Sequence, residues 1–182
     1  MNVYRVGQLS GDTINGVWNR NELAPMMIYA GAVQLKQMPN QGSNVNWLPI
    51  NIASQSLVQL VLQSSFDHSI PNDQRVFHIV NPKSISYEEY LQILQQSGIQ
   101  FEIVPKDQFV QTIFNCKDLS NPLIKLSSFL QKSLSNSNPS KSIHFQTEKT
   151  AEKCPLLDTC PQIDSNLIQL YLNYWKQSQS VD

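Results

Sequence analysis

The run Val76-Phe77-His78-Ile79-Val80 constrains this chain more than any other feature. It is short, nearly all apolar, and closed by Asn81-Pro82. An apolar run without alternation is the pattern of a strand buried on both faces, as in a parallel sheet. Parallel neighbours need a crossover connection, so helices must lie between the strands. Residues 86–97 supply one: Ser86 and Glu89 form a capping box, Tyr87, Tyr90, Leu91 and Leu94 share a face, and Gly98 ends it. Residues 101–104 return as a strand, and Pro105 opens a helix with the face Phe109, Val110 and Ile113. Residues 76–114 therefore read strand, helix, strand, helix, and the fold class is α/β.

The flanking residues extend this frame. Residues 2–9 predict a strand running into a loop, with turn signals at Ser10-Gly11-Asp12 and Asn15-Gly16. A helix is expected over 21–35, capped by Asn21, with Leu23, Met26, Met27 and Ala30 on one face. Residues 39–42 read as a loop and 45–50 as an extended segment, which Pro49 keeps from a central strand position. Residues 52–63 form a helix by spacing, with Ala53, Leu57, Leu60 and Val61 facing inward. Val3 to Val6 should pair in parallel with Val76 to Val80, covered by the helices at 52–63 and 86–97. A polar loop is expected over 64–75. Asn121-Pro122 starts a helix with Leu123, Leu126, Leu130 and Leu134, residues 135–142 are a polar linker, and 143–146 read as a small strand. The last helix, over 163–176, carries Leu167, Leu170, Tyr171 and Tyr174.

Composition narrows the function classes. The chain has 182 residues, of which 41% are apolar and 15% charged, with a net charge of −1. No basic stripe points to nucleic acid, and no polybasic segment or long apolar run points to a membrane. Three cysteines make no disulfide framework, so a cytoplasmic protein is expected. Cys154 and Cys160 lie far from Cys116 with no histidine beside them, which argues against zinc; buried or surface thiols are the simpler reading. His78 reads as a core or sheet-edge histidine, His68 lies in a polar loop, and His144 shows no partner. Asp12 reads as a turn residue and Asp164 as a helix N-terminal carboxylate. The six glycines match neither GxGxxG nor GxxxxGK[ST]. Arg5, Gly7 and Gly11 stand at a strand end, where α/β sheets bind ligands.

Five motifs in order carry a family resemblance. Tyr4-Arg5-Val6-Gly7-Gln8-Leu9-Ser10-Gly11 with Gly16-Val17-Trp18-Asn19 resembles the RPG-x-x-x-G … G-x-W-N stretch of thioester reductase domains. Asn46-Trp47-Leu48-Pro49-Ile50-Asn51 followed by Ala53 is similar to their D-W-x-P-V-D-x-V-A segment, and Phe77-His78-Ile79-Val80-Asn81-Pro82 to F-H-L-x-N-P. Cys160-Pro161-Gln162-Ile163-Asp164 and Leu170-Tyr171-Leu172-Asn173-Tyr174 resemble the closing C-P-P-I-D … L-x-x-Y-x-x-Y. Val6 stands where the family has Pro, and Asn51 where it has Asp. These extended short-chain dehydrogenase/reductase domains end nonribosomal peptide synthetases, some polyketide synthases, aminoadipate reductases and carboxylic acid reductases.

The resemblance implies the C-terminal portion of a Rossmann-like extended short-chain dehydrogenase fold with a mostly helical substrate-binding lobe. Residues 1–114 would be the sheet remnant with its covering helices and 115–182 the lobe. It implies NADPH reduction of an acyl or peptidyl thioester on a carrier protein's phosphopantetheine. It places Arg5, Val6, Gly7 and Gln8 by the cofactor and Gly11, Trp18, Met26, Met27 and Trp47 on the substrate side. The family's glycine-rich loop and Tyr-x-x-x-Lys pair precede the matched stretch, so no catalytic residue is assigned here. The chain by itself is expected to be inactive, with the missing N-terminal reductase half as its partner. Such a severed sheet would leave Val3, Val6, Phe77 and Ile79 short of neighbours. A non-catalytic carrier- or partner-binding module and a truncated gene fragment remain the other readings.

Overall fold

The computed structural model describes residues 2–65, 75–118, 120–135 and 145–179. His68, His144, most of the 64–75 loop and most of the 135–142 linker lie outside the described residues. The elements run β1 (Val3–Val6), β2 (Leu9–Ser10), α1 (Leu23–Met26) continued by a π-helix (Met27–Leu35), β3 (Gln37–Pro39), β4 (Leu48–Pro49) and α2 (Ile50–Ser65). They continue with β5 (Val76–Ile79), α3 (Tyr87–Gln96), β6 (Glu102–Val104), α4 (Lys106–Phe114) and α5 (Leu123–Ser135). Last come α6 (Glu148–Lys153), a 3₁₀ helix (Pro155–Thr159) and α7 (Ser165–Gln179). Among the described residues, no helix is long and apolar enough to cross a membrane.

The chain forms two compact units, each assembled from separated stretches. The first comprises Met1–Val17, Asn44–Ile85 and Ile143–Asp182; the second comprises Trp18–Ser43 and Ser86–Ser142. These units interleave along the chain and do not follow the division expected at residue 114.

In the first unit, β1 and β5 pair in parallel, with Val3 opposite Val76 and Val6 opposite Ile79. The crossover between them contains α2, as parallel pairing requires. A second parallel pair sets Leu9 opposite Leu48 and Ser10 opposite Pro49. Phe77 and Ile79 are fully buried with Leu48, Ile52, Ala53, Leu60, Cys154, Leu157 and Cys160. This corrects the expectation that Phe77 and Ile79 lack neighbours; α2 and the 154–160 segment cover them. Only Val3 and Val6 of that set are exposed, at 36% and 46%. It also corrects the two-faced burial of β5, because Val76 and His78 are only half-buried.

His78 sits at the sheet edge. Its N–H donates to Thr150 Oγ1 and its Nδ1 lies 3.2 Å from the Gln146 carbonyl oxygen. Of the strand expected over 143–146, residues 143 and 144 lie outside the described residues, and Phe145 and Gln146 run beside β5 without forming a strand. On α2, Ala53 and Leu60 are buried and Leu57 packs against the same core, as expected, whereas Val61 is exposed and Ser56 is buried. On α7 the deepest side chains are Ile168, Tyr171 and Trp175 rather than Leu170 and Tyr174. Asp164 caps that helix as expected, its Oδ1 accepting the Leu167 N–H at 2.8 Å.

In the second unit, β3 and β6 pair in parallel, with Gln37 opposite Glu102 and Pro39 opposite Val104. The sequence predicts loop at Pro39, where the structure has strand; a proline is tolerated there because the sheet has only two strands. The helix expected over 21–35 begins at Leu23 with Glu22 at its N-cap and no side-chain cap bond, so Asn21 does not cap it. From Met27 the ladder widens, and the Lys36 N–H reaches back five residues to the Gly31 carbonyl. The wider turn shifts the buried face to Ile28, Ala30, Gly31 and Ala32; Leu23, in the turn before it, is exposed.

Helix α3 carries the predicted capping box, Ser86 N–H to Glu89 Oε2 at 2.8 Å and Glu89 N–H to Ser86 Oγ at 3.2 Å. It belongs to the second unit, not to the cover of β1 and β5. Asn121 starts α5 by accepting the Leu123 N–H, and its amide donates to the Ala30 carbonyl. Leu123 and Leu130 then bury with Ala30, Val104, Phe109 and Ile113.

Candidate functional site

The candidate site grows from the end of β1. The Gly7 N–H donates to the Ile79 carbonyl at 2.9 Å, continuing the β1–β5 ladder by one rung. A Cβ on Gly7 would stand 2.8 Å from Val80 Cγ1, so the glycine allows the close approach of the two strands. The Gln8 carbonyl then accepts the Leu48 N–H at 2.8 Å, and the chain passes into β2. Arg5, Val6 and Gln8 are exposed at this strand end, whereas Gly11 is buried.

Beyond β2 the chain turns tightly around Asp12. Its Oδ1 accepts the N–H groups of Ile14 and Asn15, at 2.8 and 2.7 Å, and its Oδ2 accepts the N–H of Val17 at 2.9 Å. Burial opposes ionisation of this carboxyl. The backbone donors of Asn15, Ile14, Val17 and Gly16 outweigh it and hold the group below its ordinary value. Gly16 has φ +72°, and a Cβ there would meet the Leu170 carbonyl oxygen at 2.6 Å. Both the left-handed backbone and the contact with α7 demand glycine.

A buried hydroxyl pair lies beneath the loop. Tyr171 Oη donates to the Gly11 carbonyl at 2.9 Å and lies 3.1 Å from Ser10 Oγ. The phenol has one proton, committed to Gly11, so Ser10 is the donor in the pair. Burial raises the Tyr171 pKa to about 12; the Ser10 bond opposes that rise and the Asp12 charge adds to it. Burial likewise raises the Cys160 thiol to about 11, against the nearby Lys83 charge.

Trp47 is buried, and its carbonyl accepts the Asn81 side-chain amide at 2.9 Å. The same amide donates to the Pro161 carbonyl at 3.0 Å, while Asn81 Oδ1 accepts the Lys83 N–H. The buried Asn81 thus ties β4, the end of β5 and the Cys160-Pro161 segment together.

The first unit therefore gathers Arg5, Val6, Gly7, Gln8, Gly11 and Trp47. Trp18, Met26 and Met27 fall in the second unit. There the Trp18 indole N–H donates to Glu22 Oε2 at 3.2 Å, and Met26 and Met27 pack against the Ala30–Phe109 core. Sequence reasoning did not assign Ser10, Asn51, Asn81 or Tyr171 to the site region. Asn51, Asn81 and Tyr171 stood inside the quoted motifs, but their partners lie far away in sequence. Among the described residues, no cluster of three histidine, cysteine or carboxylate side chains is placed to hold a metal.

The fold, a mixed arrangement of helices and short parallel strands, resembles that of reductase domains of the short-chain dehydrogenase-like kind. Reductase domains are among the solved structures it resembles. The terminal R domain of the myxalamid PKS-NRPS pathway superposes with a TM-score of 0.79 at 20% identity, over 98% of this chain and 44% of that one. A thiolation-reductase di-domain from an archaeal nonribosomal peptide synthetase gives 0.68 at 18% identity, over 100% and 37%. In sequence the chain is similar to clavatol synthase claF of Penicillium crustosum, 28% identical over 179 residues, which are 96% of this chain and 7% of that protein. A component of the linear gramicidin synthase of Brevibacillus parabrevis is 24% identical over 181 residues, 97% of this chain and 3% of that protein. The chain thus spans under half of the solved reductase chains and under a tenth of the curated relatives. No family profile matches it.

Proposed function

We propose that these residues form the substrate-binding, carrier-docking C-terminal portion of an NADPH-dependent thioester reductase. The observation that carries the reading is the strand-end loop, Gln8 to Val17, fixed by Asp12 and Tyr171 at the carboxyl end of a parallel strand. Ligands of open α/β sheets bind at such ends. The likeness to terminal reductase domains supports it.

The substrate is an acyl or peptidyl thioester on the phosphopantetheine arm of a carrier protein. NADPH supplies the hydride that adds to the thioester carbonyl carbon; the C–S bond breaks, the carrier thiol leaves with a proton, and an aldehyde is released, or an alcohol after a second hydride. Exposed Arg5, Val6 and Gln8 suit the nicotinamide flank. The pyrophosphate needs a glycine-rich loop at a helix N-terminus, and the six glycines here form none. NADPH therefore binds only with the N-terminal reductase half present. In the first unit Gly11 and Trp47 are the substrate-side residues; Trp18, Met26 and Met27, which the resemblance also puts on the substrate side, belong to the second unit. The assembly works in the cytoplasm.

The test is NADPH oxidation with an acyl-pantetheine thioester. The chain alone should give no turnover and no micromolar NADPH affinity, whereas co-expression with a matching N-terminal reductase half should restore both. Turnover by the chain alone overturns the division of labour. Thioester or carrier binding without turnover in the combination would instead identify a non-catalytic binding module.

A further inference from the structure

We infer that Tyr171 is a positioning residue: with its neighbour Leu170 it holds both ends of the Gly11–Gly16 loop, and so sets the contact that this loop offers to the acyl part of a thioester. The inference rests on the reductase reading for its substrate, but the clamp itself is geometric.

Two successive residues of α7 meet the two ends of the loop. The Tyr171 hydroxyl donates to the carbonyl of Gly11, and the Leu170 backbone lies against Gly16, where even a Cβ would collide. The Gly11–Asp12 peptide is committed on both sides: its C=O accepts from Tyr171, and its N–H donates to the Val17 carbonyl at 3.3 Å. A flip of that peptide would break both bonds and displace the Asp12 carboxylate from the three N–H groups it accepts. Tyr171 is fully buried, so its hydroxyl holds a fixed place.

What the clamp presents is apolar. Ile14 is 71% exposed and Val17 46% exposed on a loop whose backbone donors are largely consumed internally. A rigid loop meets a ligand without paying the ordering entropy of a flexible one. Apolar side chains held outward in this way favour an aliphatic acyl group over a charged one.

The test uses the 182-residue chain with Tyr171→Phe, which removes one oxygen and keeps the ring, and Ser10→Ala, which leaves the Tyr171 bond to Gly11 intact. Amide hydrogen exchange should accelerate about tenfold at Ile14, Asn15 and Val17 in Tyr171→Phe, less in Ser10→Ala, and not at Val3 or Gly7 in the β1–β5 ladder. Unchanged exchange at the loop, or an equal rise throughout the unit, overturns the clamp. Octanoyl-pantetheine should protect the loop amides of the wild-type chain and bind Tyr171→Phe about fivefold more weakly. Equal affinity for a loosened loop overturns the positioning role. No protection in the wild type overturns the substrate reading, while the exchange pattern still decides the clamp.

Discussion

Asn51 and Thr13 exchange two hydrogen bonds. The Thr13 N–H donates to Asn51 Oδ1 at 3.2 Å, and Asn51 Nδ2 donates to Thr13 Oγ1 at 3.0 Å. The pair ties the first turn of α2 to the Asp12 loop, at the position where the thioester reductase motif that this segment resembles has Asp. A carboxylate there would keep the first bond and accept the threonine hydroxyl in place of the second. It would also bring negative charge to a helix N-terminus, which is favourable. Asn51→Asp should therefore change stability by less than about 0.5 kcal/mol, whereas Asn51→Ala should cost about 1–2 kcal/mol by losing both bonds. Urea unfolding monitored by tryptophan fluorescence separates the two outcomes.

Gly16 and Gly98 both have positive φ, +72° and +87°, but different surroundings. Nothing lies within 4 Å of a Cβ on Gly98, while one on Gly16 would meet the Leu170 carbonyl at 2.6 Å. Gly98→Ala should cost about 1 kcal/mol from backbone strain alone. Gly16→Ala should cost at least about 2 kcal/mol, because helix α7 must also retreat. Equal unfolding midpoints for the two variants would contradict the packing of α7 on Gly16.

The Asp12 carboxyl is held below its ordinary pKa of 3.8 in the folded chain. The unfolded chain therefore takes up the proton first as pH falls. The stabilisation is complete above the unfolded pKa and is lost as pH drops through the folded one. Asp12→Asn should be less stable than wild type at pH 7, and the gap should narrow below about pH 4. Chemical unfolding at a series of pH values measures this directly; a gap independent of pH would refute it.

Cys154 and Cys160 are buried and Cys116 is partly exposed. Burial raises the Cys160 pKa to about 11, so very little of it is thiolate at neutral pH. Cys154 Sγ is further engaged with Gln59 Oε1 at 3.3 Å. One thiol should react with Ellman's reagent in the native chain and three after unfolding. Rapid labelling of Cys160 in the native state would show that the core formed by β5, α2 and the 154–160 segment opens readily.

Strand β1 shows Val3 and Val6 to solvent, and β5 is its partner in a sheet of two strands. Exposed apolar strand residues invite edge pairing. The chain should self-associate and bind ANS, and Val3→Lys should reduce both without lowering the unfolding temperature by more than a few degrees. Co-expression with a matching N-terminal half should raise that temperature and suppress the dye signal. A monodisperse wild-type chain without dye binding, melting above about 65 °C, would show that the unit is self-sufficient.

Interactions spanning a few residues were legible in the sequence. The Ser86–Glu89 box, the Asp164 cap, the Asp12 turn and the break at Asn81-Pro82 all place their partners within five residues, where chain connectivity holds them together. The parallel pairing of β1 with β5 was legible too, because a helix between two apolar segments leaves few other topologies. Tertiary structure decided the rest. Three residues containing a proline carry no strand signal of their own, and β3 exists only because β6 offers it a ladder. The widened turn after Met27 moved the buried face of its helix off the 3.6-residue spacing that sequence periodicity assumes. Burial of β5 on one face reflects what packs against it, which its composition cannot express. The candidate site shows the limit most sharply: Gly11 and Tyr171 stand 160 residues apart. A hydrogen bond of that span depends on every element folded between them, so no local pattern announces it.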